Sequence, residues 1–109
     1  MNPLLLATSE QLAGYDIVET LGIVRGNTIR ARHVGRDILA SLRNLVGGEL
    51  HDYTKLMAEA REQSLDRMMD EARSLGANAI VAVRFSTSVV ATSAAEILVY
   101  GTAVKVAKR

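Results

Sequence analysis

The chain has 109 residues, room for one domain but not for a cofactor domain joined to a substrate domain. Hydrophobic residues make up 49% and charged residues 23%, a composition that excludes disorder. Lys and Arg number 13 against 12 Asp and Glu, a formal charge of +1, without the basic excess of a nucleic-acid or membrane-surface binder. Cysteine is absent, which excludes disulfides, thiolate metal sites, iron–sulfur clusters and Cys nucleophiles.

The first residues, Met1 to Thr8, are apolar too briefly and carry no basic side chain, unlike a secretory signal. No run approaches the ~18 apolar residues of a spanning helix. A cytoplasmic protein with no membrane partner is the expectation. Aromatics are confined to Tyr15, Tyr53, Phe85 and Tyr100, so Val, Ile, Leu, Ala and Met must build the core. A chain this short buries only about two-thirds of its unfolded surface, yet the mean hydropathy is +0.13. Part of the apolar surface is expected to face another subunit.

Residues 4–7 read as a short apolar strand, and Ala13-Gly14-Tyr15-Asp16 as a turn. Residues 17–25 are rich in β-branched types and predict a strand, with Gly22 inside it marking a bulge or a close backbone approach. Gly26-Asn27 fits a hairpin turn into Thr28-Ile29-Arg30-Ala31 and equally a kink in one long strand. Val34, Ile38, Leu42, Leu45 and Val46 then follow helical spacing, and Gly47-Gly48 ends that short amphipathic helix.

A longer helix is predicted over 52–75. Tyr53, Leu56, Met57, Ala60, Ser64, Met68, Ala72 and Leu75 trace one stripe, Asp52 suits an N-cap and Gly76 a stop. Residues 79–90 return to strand patterning, 91–95 read as a loop, and 96–106 as a last strand. That strand is apolar on both faces, with Leu98, Tyr100, Val104 and Val106 on one and Ile97, Val99 and Ala103 on the other. A monomeric antiparallel sheet usually keeps one wet face. Helices on one face and a neighbouring subunit on the other are expected.

No His-Glu-x-x-His, Gly-x-Ser-x-Gly or phosphate-loop pattern occurs, and no catalytic constellation supports an enzyme. His33, Asp37, Glu49, His51 and Asp52 are borderline or hard ligand types close in sequence. His33, Glu49 and His51 are the candidate ligands for a divalent metal ion, the one cofactor with candidate donors. The alternative is that they are polar residues at helix ends. A second candidate set is Asp37, Arg43, Glu49, Arg61 and Arg84. Arg43 and Arg61 lie beside apolar stripes and Arg84 interrupts an apolar strand, where an arginine needs a partner. Buried ion pairs, or an anion-binding cluster at a subunit junction, both fit.

Several segments together carry a resemblance: Gly22-Ile23-Val24-Arg25-Gly26, Arg36-Asp37, Arg43-Asn44-Leu45-Val46-Gly47-Gly48-Glu49 with Tyr53, Ala60-Arg61, Gly76-Ala77-Asn78-Ala79-Ile80-Val81, and Gly101-Thr102-Ala103-Val104. In this order they resemble the YbjQ-type family of small uncharacterised bacterial and archaeal proteins, sometimes given a heavy-metal-binding label. The resemblance spans about residues 7–106 and adds Tyr53 to the second candidate set. It implies a single domain over 1–109. The implied fold class is α+β: a two-layer, dodecin-like subunit with an antiparallel sheet packed on one long and one short helix, assembled as a homopentamer. It supplies no reaction. Two readings follow: a homopentameric small binding protein for metal ions or a small anionic ligand, or a structural module that docks a protein partner.

Overall fold

A computed structural model describes residues 3–31, 48–91 and 94–109, and within them all side chains except those of 30–31, 48–56, 89–91 and 94. In chain order the elements are β1 (Leu5–Leu6), β2 (Tyr15–Ala31), α1 (Gly48–Ser74), β3 (Ala79–Ala91) and β4 (Ala94–Lys108). The strands form one sheet in the order β1-β3-β4-β2, and α1 packs on one of its faces, so the fold is α+β. The expected short helix over 34–46 lies outside the described residues.

β4 is central and antiparallel to both β2 and β3. β1 pairs in parallel with β3 at Ala79 and Ile80, which makes the sheet mixed and corrects the antiparallel expectation. A two-residue strand carries no pairing signal of its own. β1 takes the edge of β3 that β4 leaves open, and the following segment continues it. There Ala7 N–H donates to Ile80 O, Val83 N–H to Ala7 O, and Ala82 N–H to Ser9 O.

β2 is a single strand through Gly26-Asn27, which pair with Val99 and Leu98. Of the two readings of that dipeptide, the hairpin is overturned. Gly26 is there for space, not for a turn. A Cβ on it would run into the Ser64 carbonyl, the Met68 amide and the Arg67 Cβ of α1. The helix backbone therefore lies directly on β2. Gly22 does mark a bulge: the register shifts between Thr20 and Gly22, and its φ of +126° suits glycine. The loop expected over 91–95 is shorter, since β4 already pairs from Ala94 onward.

Helix α1 begins at Gly48 rather than 52. Asp52 thus falls in its second turn and is not the N-cap. The first turn is mostly polar, so no apolar stripe announced it. Along its middle the buried face is as predicted, with Ala60, Ser64, Met68 and Ala72 fully buried and four residues apart, but Leu75, expected to end the stripe, follows the helix and is 44% exposed. The helix ends in a paired C-terminal motif. Ala77 N–H donates to Ala72 O and Gly76 N–H to Arg73 O, with Gly76 at φ +84°.

Asn78 joins this cap to the sheet. Its amide Nδ2 donates to Val106 O at 2.9 Å, and Val106 N–H donates to its Oδ1 at 2.8 Å. The side chain thus pairs with β4 as a strand residue would. The core divides by face. On the helix side lie Val24, Met68, Ala72, Ile80, Val83, Val99 and Ala103. On the outer side, Ala79, Val81, Val104 and Val106 are covered by Leu5, Leu12 and Tyr15. The second apolar face of β4 is therefore met at this end by the chain's own N-terminal segment, where a neighbouring subunit was expected.

Two substitutions test this frame. Gly26→Ala should destabilise by about 3 kcal/mol, the upper range for overpacking, because both clashing groups are backbone. Asn78→Ala, which removes two half-buried hydrogen bonds, should cost about 2 kcal/mol. Urea unfolding followed by circular dichroism reads both, and near-native stability of the Gly26 variant would contradict the contact.

Candidate functional site

The two faces of the sheet offer different chemistry. On the helix side the polar feature is closed. Ser64 Oγ, fully buried, donates to one of its neighbours among Thr28 Oγ1 at 2.8 Å, Ala60 O at 3.0 Å and Ile97 O at 3.2 Å. Thr28 is itself buried. This cluster pins the helix to β2 and β4 and has no access to a ligand.

The outer face beyond the N-terminal cover is open. Residues directly opposite in an antiparallel ladder share a face, so the register orders that surface into rows. Ile23 and Thr102 lie across from Val81. Arg25, Tyr100 and Arg84 form the next row, then Asn27, Leu98 and Ser86, then Ile29, Glu96 and Ser88. In the last two rows Asn27 Nδ2 donates to Glu96 Oε2 at 3.1 Å. Arg84 Nη1 donates to Thr8 O at 2.7 Å and to Val83 O at 2.9 Å. Those carbonyls are exposed by the β3 bulge between Val81 and Arg84 and by the N-terminal segment beside it. Arg25 is exposed and makes no hydrogen bond or ion pair with a described residue.

Ion pairs among described residues lie elsewhere. Arg109 meets Asp16 at 2.9 Å, Lys105 meets Glu19 at 3.7 Å and Arg73 meets Asp70 at 3.4 Å. All are solvent-exposed, so each contributes about 0–1 kcal/mol. The Asp16–Arg109 pair also lines a cavity of about 240 Å³ with Gln11, Leu12, Tyr15 and Ile17. Its charges are already matched, which leaves little to attract a ligand.

Of the expected site residues, the structure describes the side chains of Arg61 and Arg84. His33, Asp37 and Arg43 lie outside the described residues. Glu49, His51 and Tyr53 sit in the first two turns of α1, with side chains outside the description. Arg61 is exposed and has no ion-pair partner among the described residues; of the carboxylates expected to meet it, Asp37 and the Glu49 side chain lie outside them. The residue after Ala60 is turned about 100° around the helix from the buried stripe. Arg84 is held by carbonyls, and no described carboxylate pairs with it. Sequence reasoning missed Arg25 and Tyr100 as neighbours of Arg84. The signal was the strand register, which local patterning does not supply.

Among the described residues no three His, Asp or Glu side chains come together to hold a metal ion. Soft metals favour thiolate or clustered thioether sulfur. Cys is absent, Met68 is sealed in the core, and Met69 packs against it. The described residues do not fit a heavy-metal centre. Among them, no helix is long and apolar enough to cross a membrane.

Comparison with known proteins places this fold. The model of the YbjQ family, described as "Putative heavy-metal-binding", matches residues 4–107. The chain belongs to the YbjQ family. A UPF0145 protein of Halorubrum lacusprofundi is 61% identical over 100 residues, covering 92% of this chain and 96% of its own. A UPF0145 protein of Pseudothermotoga lettingae is 55% identical over 105 residues, covering 96% and 99%. One from Methanosarcina acetivorans is 52% identical over 106 residues, covering 97% and 100%. The crystal structure of a DUF74-family protein of unknown function from Pediococcus pentosaceus aligns with a TM-score of 0.65 at 16% identity, covering 95% of this chain and 98% of that one. That likeness supports the YbjQ fold alone.

Arg61→Ala should change stability by less than about 0.5 kcal/mol, as for an ordinary surface position. A loss of several kcal/mol in urea unfolding would restore the buried pair.

Proposed function

We propose that this YbjQ-family chain is the subunit of a homopentameric, dodecin-like ring that binds a small anionic ligand. One observation carries the assembly: the sheet has two different long edges to which no described residue is paired. β2 is outermost on one side. From Gly22 to Ala31 it pairs regularly with β4 and contains neither Pro nor Lys. Ile23 and Ile29 on this stretch are 76% and 56% exposed. On the other side, β1 pairs with β3 only at its start, and from Arg84 onward that edge is bare among the described residues.

Soluble proteins protect such edges with short strands, Pro, Lys or bulges. An unprotected pair of unlike edges supports a heterologous contact, β2 of one copy against β3 of the next, which closes into a ring when the rotation allows. Phe85 supports the same arrangement. It pairs with Val99 on the helix side of the sheet but is 48% exposed, because α1 lies over β2 and β4. A neighbour's β2 beside β3 would bring its own α1 over Phe85. Covering the exposed half of that ring contributes about 2 kcal/mol per contact. Five as the number of copies rests on the family resemblance. The anionic character of the ligand rests on Arg25 and Arg84 of the outer face, which no described carboxylate pairs with.

Native mass spectrometry of protein purified without chelator or affinity tag should give five times the 11.8 kDa chain mass. Phe85→Asp should release monomers that keep the native circular dichroism spectrum. A mass near 12 kDa for the unsubstituted chain sinks the ring. Metal analysis of the same sample tests the other ligand class: stoichiometric metal lost from a His33→Ala, His51→Ala double variant would move the assignment from an anion to a metal ion.

A further inference from the structure

The geometry points to a binding site for a multiply charged phosphate anion on the outer sheet face, formed by Arg25, Tyr100 and Arg84. The three residues are directly opposite one another on β2, β4 and β3. Two strand spacings put the Cα atoms of the arginines roughly 10 Å apart. Arg84 Nη1 is turned to the Thr8 carbonyl on the β1 side of β3, so it marks one end of the site, and the long Arg25 side chain can reach a ligand above the central tyrosine from the other.

Each member brings something a phosphate requires. Arg25 is exposed and no described residue pairs with it, and a guanidinium can form paired N–H···O bonds to phosphate oxygens. Arg84 is anchored through Nη1 by the Thr8 and Val83 carbonyls. Carbonyl partners hold the group in place without cancelling its charge, and its other N–H donors bond no described residue. Tyr100, 39% exposed, stands between them and supplies a hydroxyl donor. Asn27 and Ser86 of one flanking row and Thr102 of the other add neutral polar groups.

The distribution of acidic groups favours the same reading. Among the described residues of these rows the carboxylate is Glu96, two rows from Tyr100, and the Asn27 amide bonds it. Nearer the ends of the sheet, Lys105 and Arg109 are matched by Glu19 and Asp16. The central row therefore concentrates two positive charges beside no described carboxylate, and a diphosphate group carries complementary charge on both ends. Anchored donors lose less freedom on binding than free ones.

This inference rests on the anionic-ligand part of the proposed function and not on the ring, since all three residues belong to one sheet. Isothermal titration of the full chain with inorganic pyrophosphate, in low-salt buffer, should show one site per chain. Arg25→Ala and Arg84→Ala should each weaken it about tenfold or more, and Arg25→Lys should also weaken it by losing the forked geometry. Arg73→Ala, which removes an exposed arginine on α1, should leave binding unchanged. Absence of binding, or equal loss in the Arg73 variant, overturns the site. Light scattering on the same samples separates the two ideas. A ring without pyrophosphate binding refutes the site alone, and a monomer that binds it refutes the ring alone.

Discussion

Helix α1 can lie on β2 because position 26 has no side chain. The carbonyl of Ser64 and the amide of Met68 occupy the space a Cβ would need, so the layers approach at backbone distance there. That closeness brings Ser64 Oγ within reach of Thr28 on β2 and Ile97 on β4, and Arg67 Nη1 within 2.6 Å of Asn27 O. A helix held further off would break the bond between these two buried hydroxyls and leave Ser64 the Ala60 carbonyl of its own helix. Glycine and hydroxyls act as one device: the first sets the distance and the second makes it specific.

The same placement determines what remains uncovered. One helix seated over β2 and β4 cannot also roof β3, so Phe85 stays half-exposed while Val99 opposite it is buried. On the other face the N-terminal segment reaches only the start of β3 and the end of β4. The radius of gyration is 17.3 Å, against about 13 Å for a compact domain of this size. Elongation and exposed apolar edges go together: among the described residues, one helix and a short N-terminal segment cover strands of 13 to 17 residues.

Much of this was legible in the sequence, for local reasons. Ala60, Ser64, Met68 and Ala72 recur every four residues, so the buried face of α1 is printed in its spacing. Alternation on both faces of β4, and Gly22 as a bulge, are likewise local signals. What was illegible depended on distant partners. Gly26-Asn27 fits a turn and a continuous strand equally, because the residue that best makes a turn is also the residue that best admits a helix. Arg84 interrupts an apolar run and calls for a partner, but its partner is the Thr8 carbonyl, 76 positions away. Arg25 and Tyr100 became its neighbours only once the ladder was in register. In the second candidate set, the spacing of Arg61 to Ala60 was read as proximity to the core, although adjacent helical positions point in different directions.

Asn78 gives the molecule a fixed phase. Only three residues separate the end of α1 at Ser74 from Asn78, and that side chain is docked on both backbone groups of Val106. The joint has no slack. Side chains alternate along a strand, so a single inserted residue between Gly76 and Ala79 would present Ile80 to the outer face and Val81 to the helix, exchanging the two cores. Length variation can be absorbed where the chain crosses open surface, but at this joint the count of residues is itself structural information.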